Sequence, residues 1–282
     1  ALLAEPPAAL AKLPTFSGDL QAPVLRVRRE ADQILRLAYR AELQNFGLAN
    51  DTVQMRGLNG ELSGREREGR LTVPPQALYV NLPRAFEQAL HVEQLAAELS
   101  WRQADGSWLV QAPTFTAQLL GAQAQGQLSL ELPPEQRPSI DLNATLSAED
   151  VRPLKAYMPS IWKPPLRDWL DRAVQSGRGP SGRIRMAGTF GEFPMDQPAG
   201  DGVFELDLDV LDASLAFQED WPSLEAVDAR LQFRGRSLKV LADRGTTLGA
   251  RIEKAEAQID DLRNSVLELD ASTQGDLRQY YA

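Results

Sequence analysis

Apolar and polar residues alternate one for one in segment after segment of this chain. That period of two, rather than the 3.6 of a helix, limits what it can fold into. Leu35, Leu37, Tyr39, Ala41 and Leu43 alternate with Arg36, Arg40, Glu42 and Gln44. Phe204, Leu206, Leu208 and Val210 are separated by Glu205, Asp207 and Asp209, and Val227, Ala229, Leu231 and Phe233 by Asp228, Arg230 and Gln232. The same rhythm runs through Leu128 to Leu132, Ile140 to Leu146, Ile184 to Phe190 and Leu267 to Ala271. Each run predicts a strand with one apolar and one wet face. Turn signals fall between them at Asn59-Gly60, Asp105-Gly106, Pro133-Pro134, Gly188 to Gly191, Gly200 to Gly202, Gly235 and Gly245, which predicts short antiparallel strands.

Helical signals are local. Pro83 to His91 predicts a short helix, and Ser147 to Asp150 has the form of a capping box ahead of Val151 to Tyr157. Over Pro165 to Gln175, Leu166, Trp169, Leu170 and Ala173 share one helical face opposite Arg167, Asp168, Asp171 and Arg172, so this stripe is expected to pack on the sheet. Helices this few cannot cover the apolar faces of so many strands. The cover must be a second sheet, as in a sandwich, or a curl of the sheet around its own apolar side. The organisation expected is an irregular lead-in over 1–30, a first β segment over 31–147, a helical insert over 148–178 and a second β segment over 179–282 that continues the same sheet.

Charge and residue usage exclude whole classes of function. Thirty Lys and Arg against 39 Asp and Glu leave a net charge of −9, which repels nucleic acid. With no Cys and one His, His91, there is no thiolate metal site, no Cys–His dyad and no histidine pair for zinc; His91 itself reads as a half-buried or interfacial residue. No run approaches the roughly 20 apolar residues of a membrane span, so anchoring is expected only through regions outside this chain. Gly177 to Gly182 matches G-x-G-x-x-G, but it follows a helical segment and contains Pro180, so it reads as a helix stop and turn. Glu205, Asp207, Asp209 and Asp212 lack the spacing of a calcium loop and read as a solvated strand face. Arg178, Arg183 and Arg185 form a small basic cluster of a kind that holds phosphate, or simply dispersed surface charge. No catalytic residue, metal ligand or cofactor is assigned.

From Tyr157-Met158-Pro159 onward an ordered set of motifs appears: Leu166, Trp169-Leu170, Ala173, Gly177, Gly182, Gly188 to Pro194, Phe204, Trp221-Pro222 and Leu231 to Gly235. Upstream stand Gly57 to Gly64, Leu82-Pro83, Trp101, Trp108 and Leu130 to Pro134. From about Leu35 to the end this order resembles the AsmA-like family of bacterial envelope proteins; Ala1 to Pro23 shows none of it. The resemblance implies a mainly β fold, an elongated and curled antiparallel sheet (a β-groove) with a short helical insert. It implies the periplasmic part of an inner-membrane-anchored protein of a Gram-negative bacterium, acting without enzymatic chemistry. Phospholipid acyl chains are the expected cargo, carried toward the outer membrane along a groove that neighbouring segments of the parent protein extend. The expected groove lining is Leu142, Leu146, Ile184, Met186, Phe204, Leu206, Leu208, Leu231 and Phe233, with Leu166, Trp169 and Leu170 as a helical brace. The alternative is a structural or protein-interaction β module of the periplasm with a sealed core.

Overall fold

A computed structural model describes residues 15–29, 35–158, 160, 164–192, 202–216, 221–263 and 266–275. The chain folds into a meander of fourteen antiparallel strands: β1 (Thr15–Arg29), β2 (Leu35–Ala49), β3 (Gln54–Arg65), β4 (Glu68–Asn81), β5 (Leu90–Ala104), β6 (Ser107–Leu119), β7 (Ala122–Leu132), β8 (Ser139–Ala148), β9 (Val174–Thr189), β10 (Val203–Leu215), β11 (Leu224–Arg234), β12 (Ser237–Thr247), β13 (Ala250–Ile259) and β14 (Glu268–Gln274). They lie in one sheet in sequence order, so every strand pairs only with its chain neighbours and the sheet does not close into a barrel. Of the stretch read as a lead-in, 15–29 form β1, and 1–14 lie outside the described residues. A 3₁₀ helix (Pro153–Tyr157) and the helix α1 (Pro164–Ala173) fill the connection between β8 and β9.

The strands are longer than the turn signals imply, because several of those signals mark bulges instead. Asn59-Gly60 sits inside β3 and Gly245 inside β12. At Asn45 (φ 48°), Gly57 (φ 90°), Asp212 (φ 51°) and Ala226 (φ 49°) the backbone turns left-handed where the pairing of β2–β3, β3–β4, β10–β11 and β11–β12 slips. Interior prolines fall at the same kind of place. Pro74 and Pro75 lie within the slip between Val73 and Gln76, Pro113 within that between Ala112 and Phe115, and Pro180 beside that between Leu146 and Ala148. A proline cannot donate to the ladder, and a slip is where no donor is needed. Each bulge bends and twists its strand, so a succession of them across neighbouring strands curls the sheet, while β7 and β8 pair without interruption.

Two apolar clusters form on the curled face. One centres on Leu43, Leu58, Leu71, Val73 and Leu78, the other on Ala213, Val227, Ala229 and Ala242. The second is built of small residues. Among the described residues no large side chain is wholly buried, as expected of a face that one layer covers only by bending.

Three local expectations are corrected. Residues 83–85 form a turn in which Ala85 N and Phe86 N both donate to Leu82 O, Phe86 makes an isolated bridge, and β5 starts at Leu90, so the helical turn is not continued. Gly177 to Gly182 is part of β9, which begins as α1 ends, so the glycines and Pro180 form a bulged strand rather than a turn. Ser147 lies in β8 and caps nothing; Asp150 Oδ1 accepts from Arg152 N at 2.9 Å instead.

Candidate functional site

Register brings the nine nominated apolar residues together. Leu142 pairs with Met186, which pairs with Phe204. In the next row Ile184 pairs with Leu206 and Leu206 with Phe233. Beyond it Leu146 pairs with Gly182, Gly182 with Leu208 and Leu208 with Leu231. Alternate positions of paired strands share a face, so the nine form one patch over β8 to β11. All nine are half-buried, neither sealed nor wholly exposed. Leu128, Ala144, Leu238 and Val240 extend the rows on either side. Gly182 matters to the packing here, since a Cβ there would lie 2.5 Å from Leu208 Cδ2. Its missing side chain is the space into which Leu208 leans.

The opposite face is a lattice of charge. Arg234 Nη2 donates to Asp207 Oδ1 at 2.8 Å and Arg230 Nε to Asp209 Oδ1 at 3.0 Å. Asp209 also accepts from Ser181 Oγ at 2.5 Å, and this hydrogen bond, with that from Arg230, holds its carboxyl below the ordinary value. Arg178 pairs with Asp212, whose backbone N–H donates to Asp228 Oδ1 at 3.0 Å; Arg244 Nε reaches Asp228 Oδ2 at 2.5 Å. The acidic run is thus a set of ion pairs on a wet strand face. Arg178 is engaged there, while Arg183 and Arg185 face Asp207 and Glu205 across the ladder, so the three arginines do not converge.

Two cavities open on this polar face, and sequence reasoning missed them. The larger, about 910 Å³, runs from β5 to β11 over Gln94, Thr116, Gln125, Thr145, Ser181 and Gln232, and of the nine apolar residues only Leu146 borders it. The second, about 600 Å³, lies over β2 to β6. The sequence signal of the larger is the short or neutral side chains at successive outward positions, which leave space between longer neighbours.

The insert between β8 and β9 reaches well away from its own strands. Arg167 of α1 forms an ion pair with Glu87, and Ser160 N donates to Ala85 O at 2.8 Å, both partners lying in the β4–β5 connection. Lys155 Nζ fastens the other end, donating to Asp171 O at 2.6 Å and Val174 O at 3.1 Å. Trp169 and Leu170 are half-buried, and the side chain of Leu166 lies outside the described residues. The helix meets the sheet at β9, the strand it runs into, rather than lying across several strands. The only histidine in the sequence, His91, is exposed on β5, its ring edge-on to Tyr79 with centroids 5.3 Å apart.

No helix among the described residues is long and apolar enough to cross a membrane. No solved structure matches this chain. One curated relative, the intermembrane phospholipid transporter YhdP of Escherichia coli (strain K12), is 25% identical over 218 residues. The match takes in 77% of this chain and 17% of the relative, so the chain spans about a sixth of that protein's length. The family model described as YhdP protein matches residues 9–282, and on that match the chain belongs to the YhdP family.

Proposed function

We propose that this chain is a non-enzymatic segment that carries phospholipid, its curled apolar face holding acyl chains between the two membranes of a Gram-negative envelope. The observation that carries the reading is the half-buried state of Leu142, Leu146, Ile184, Met186, Phe204, Leu206, Leu208, Leu231 and Phe233 on one continuous face. A sealed structural module would bury such residues. Transferring an acyl CH₂ from water onto them contributes about 0.8 kcal/mol, without directionality, so a chain is held and still slides. The relative named as an intermembrane phospholipid transporter supports the same cargo. Leu166, Trp169 and Leu170 would brace the rim where the insert spans from β9 to the β4–β5 connection.

Neighbouring segments of a longer, periplasmic protein anchored in the inner membrane would extend the groove. Support comes from the two edge strands: β1 and β14 stand at the two ends of the sheet and are exposed along their whole lengths.

The test is native mass spectrometry of the chain purified from bacteria without detergent, with lipid extraction. Co-purified phospholipid is expected, lost in Leu206→Asp and Phe233→Asp and kept in Asp207→Ser, whose side chain is on the other face. An apo mass throughout, or equal loss in all three variants, overturns the reading.

A further inference from the structure

On the polar face several arginines are committed to carboxylates. Arg40 pairs with Glu61, Arg178 with Asp212, Arg230 with Asp209, Arg234 with Asp207 and Arg244 with Asp228. The second cavity gathers three that are not. Arg65, Arg70 and Arg102 line it together with Ser63, Ser100 and Gln111, and none of the three arginines is in an ion pair among the described residues.

The sequence Gly64-Arg65-Glu66-Arg67-Glu68-Gly69-Arg70 folds as the tight hairpin between β3 and β4, and register then sets two rows side by side. One runs Ser63, Arg70, Ser100, Gln111 and the other Arg65, Glu68, Arg102, Leu109. Arg70 is therefore a diagonal neighbour of both Arg65 and Arg102, within reach of long side chains. Between the rows the backbone of Gly64 and Gly69 makes a floor. A Cβ at Gly64 would meet Tyr39 Oη at 2.4 Å and one at Gly69 would meet Trp101 Cζ2 at 2.4 Å, so on the apolar side Tyr39 and Trp101 close over those two positions. Glu66, next in the hairpin, is drawn off by Arg36 at 3.3 Å.

Glu68 is the one carboxylate lining the cavity, so three guanidiniums against it leave a local charge of 3 − 1 = +2 in a chain whose net charge is −9. That reversal focuses a positive field on one concavity. The donors suit an oxyanion. Three planar guanidinium forks offer paired N–H groups, and two serine hydroxyls and an amide add single donors. A cation is repelled, and an apolar ligand would leave these donors unpaired. A volume near 600 Å³ lies within the range of small-ligand clefts.

We propose that Arg65, Arg70 and Arg102, with Ser63, Ser100 and Gln111, form a binding site for a phosphate-class anion on the face opposite the apolar patch. The site stands independently of acyl-chain carriage. Its phosphate has two sources in an envelope, a free or polymer-borne phosphate and a phospholipid head group.

The test titrates the full chain at low salt with inorganic pyrophosphate by calorimetry and, in a second arm, with phosphatidylcholine vesicles made with and without phosphatidylglycerol. Saturable pyrophosphate binding is expected, weakened at least roughly tenfold in Arg70→Gln/Arg102→Gln. It should be unchanged in Arg40→Gln, where a paired arginine is removed. Glu68→Gln should tighten it severalfold, an effect that loss of folding cannot imitate. Binding seen only with phosphatidylglycerol vesicles, and lost in the double variant, keeps the site and assigns the head group as its ligand. Absence of saturable binding in both arms, equal binding by the double variant, or no gain in Glu68→Gln overturns it.

Discussion

Asn59 of β3 and Gln76 of β4 hold each other where the ladder between their strands is interrupted. Gln76 Oε1 accepts from Asn59 N and Nδ2, both at 2.8 Å, and Gln76 Nε2 donates to Asn59 O at 2.6 Å. Asn59 Oδ1 accepts in turn from Asn45 N, at 2.8 Å, on the far side. Two side chains thus supply the hydrogen bonds that β2, β3 and β4 lose at their bulges. Because these bonds are exposed and water can replace part of them, Asn59→Ala and Gln76→Ala are each expected to destabilise the sheet by about 0.5–1.5 kcal/mol. Chemical denaturation reads this. Double substitution should cost clearly less than the sum, since both remove the same bonds.

Glycines in the strand interiors divide by what would obstruct them. At Gly126 a Cβ would sit 2.2 Å from the backbone oxygen of Asn143 and 2.7 Å from Ala144 Cα, whereas at Gly182 the closest atom is the mobile end of Leu208 at 2.5 Å and the nearest backbone atom, Asp207 O, is at 3.2 Å. Gly126→Ala must move a strand. It is expected to cost about 1–3 kcal/mol, and Gly182→Ala distinctly less because Leu208 can change rotamer. Melting temperatures of the two variants check the order; the reverse order would mean that β7 and β8 yield more readily than their regular pairing implies.

The alternation that defines the strands also sorts their residues onto two faces, but that the nine apolar residues lie in adjacent rows depends on the register of β8 to β11. What the sequence left open has physical causes. Asn-Gly serves a hairpin turn and a bulge alike, because both need a left-handed backbone or a close approach; hence Asn59-Gly60 sits inside β3. Pro180 and its flanking glycines carry a turn's composition, yet the slip beside them lets β9 run straight through. The arginine cavity was invisible in one dimension because Arg65 and Arg70 meet Arg102 only through the pairing of β4 with β5.

Acid should loosen the bulges at Asp212 and Ala226, where β10, β11 and β12 slip. Asp228 is held below its ordinary value of 3.8, first by the hydrogen bond from the Asp212 backbone and also by Arg244. A carboxyl with a lowered folded pKa contributes stability that is present above its unfolded value and is lost as pH falls through the folded one. Stability is therefore expected to decline below about pH 3.8, and Asp228→Asn to flatten part of that decline. Carboxyl-detected titration is expected to place Asp261, doubly bound by Arg263, near 2 and so below Asp228's ordinary value as well. A midpoint for Asp228 at or above 3.8 would sink the assignment.

The ion pair between Arg167 and Glu87 joins parts of the chain 80 residues apart and fastens the insert to the β4–β5 connection beside the bond from Ser160 N to Ala85 O. Arg167 Nε and Ser160 Oγ are buried there with no hydrogen-bond partner among the described residues. Unpaired buried donors offset much of what the pair contributes, so the attachment is weak in free energy though specific in geometry. Arg167→Met removes a charge and an orphaned donor while keeping most of the volume. Global stability should change by less than about 1 kcal/mol, while the Ser160 amide should exchange with solvent at least severalfold faster. Hydrogen exchange at single-residue resolution separates the two. Unchanged protection at Ser160 would mean that the backbone bond alone holds the insert in place.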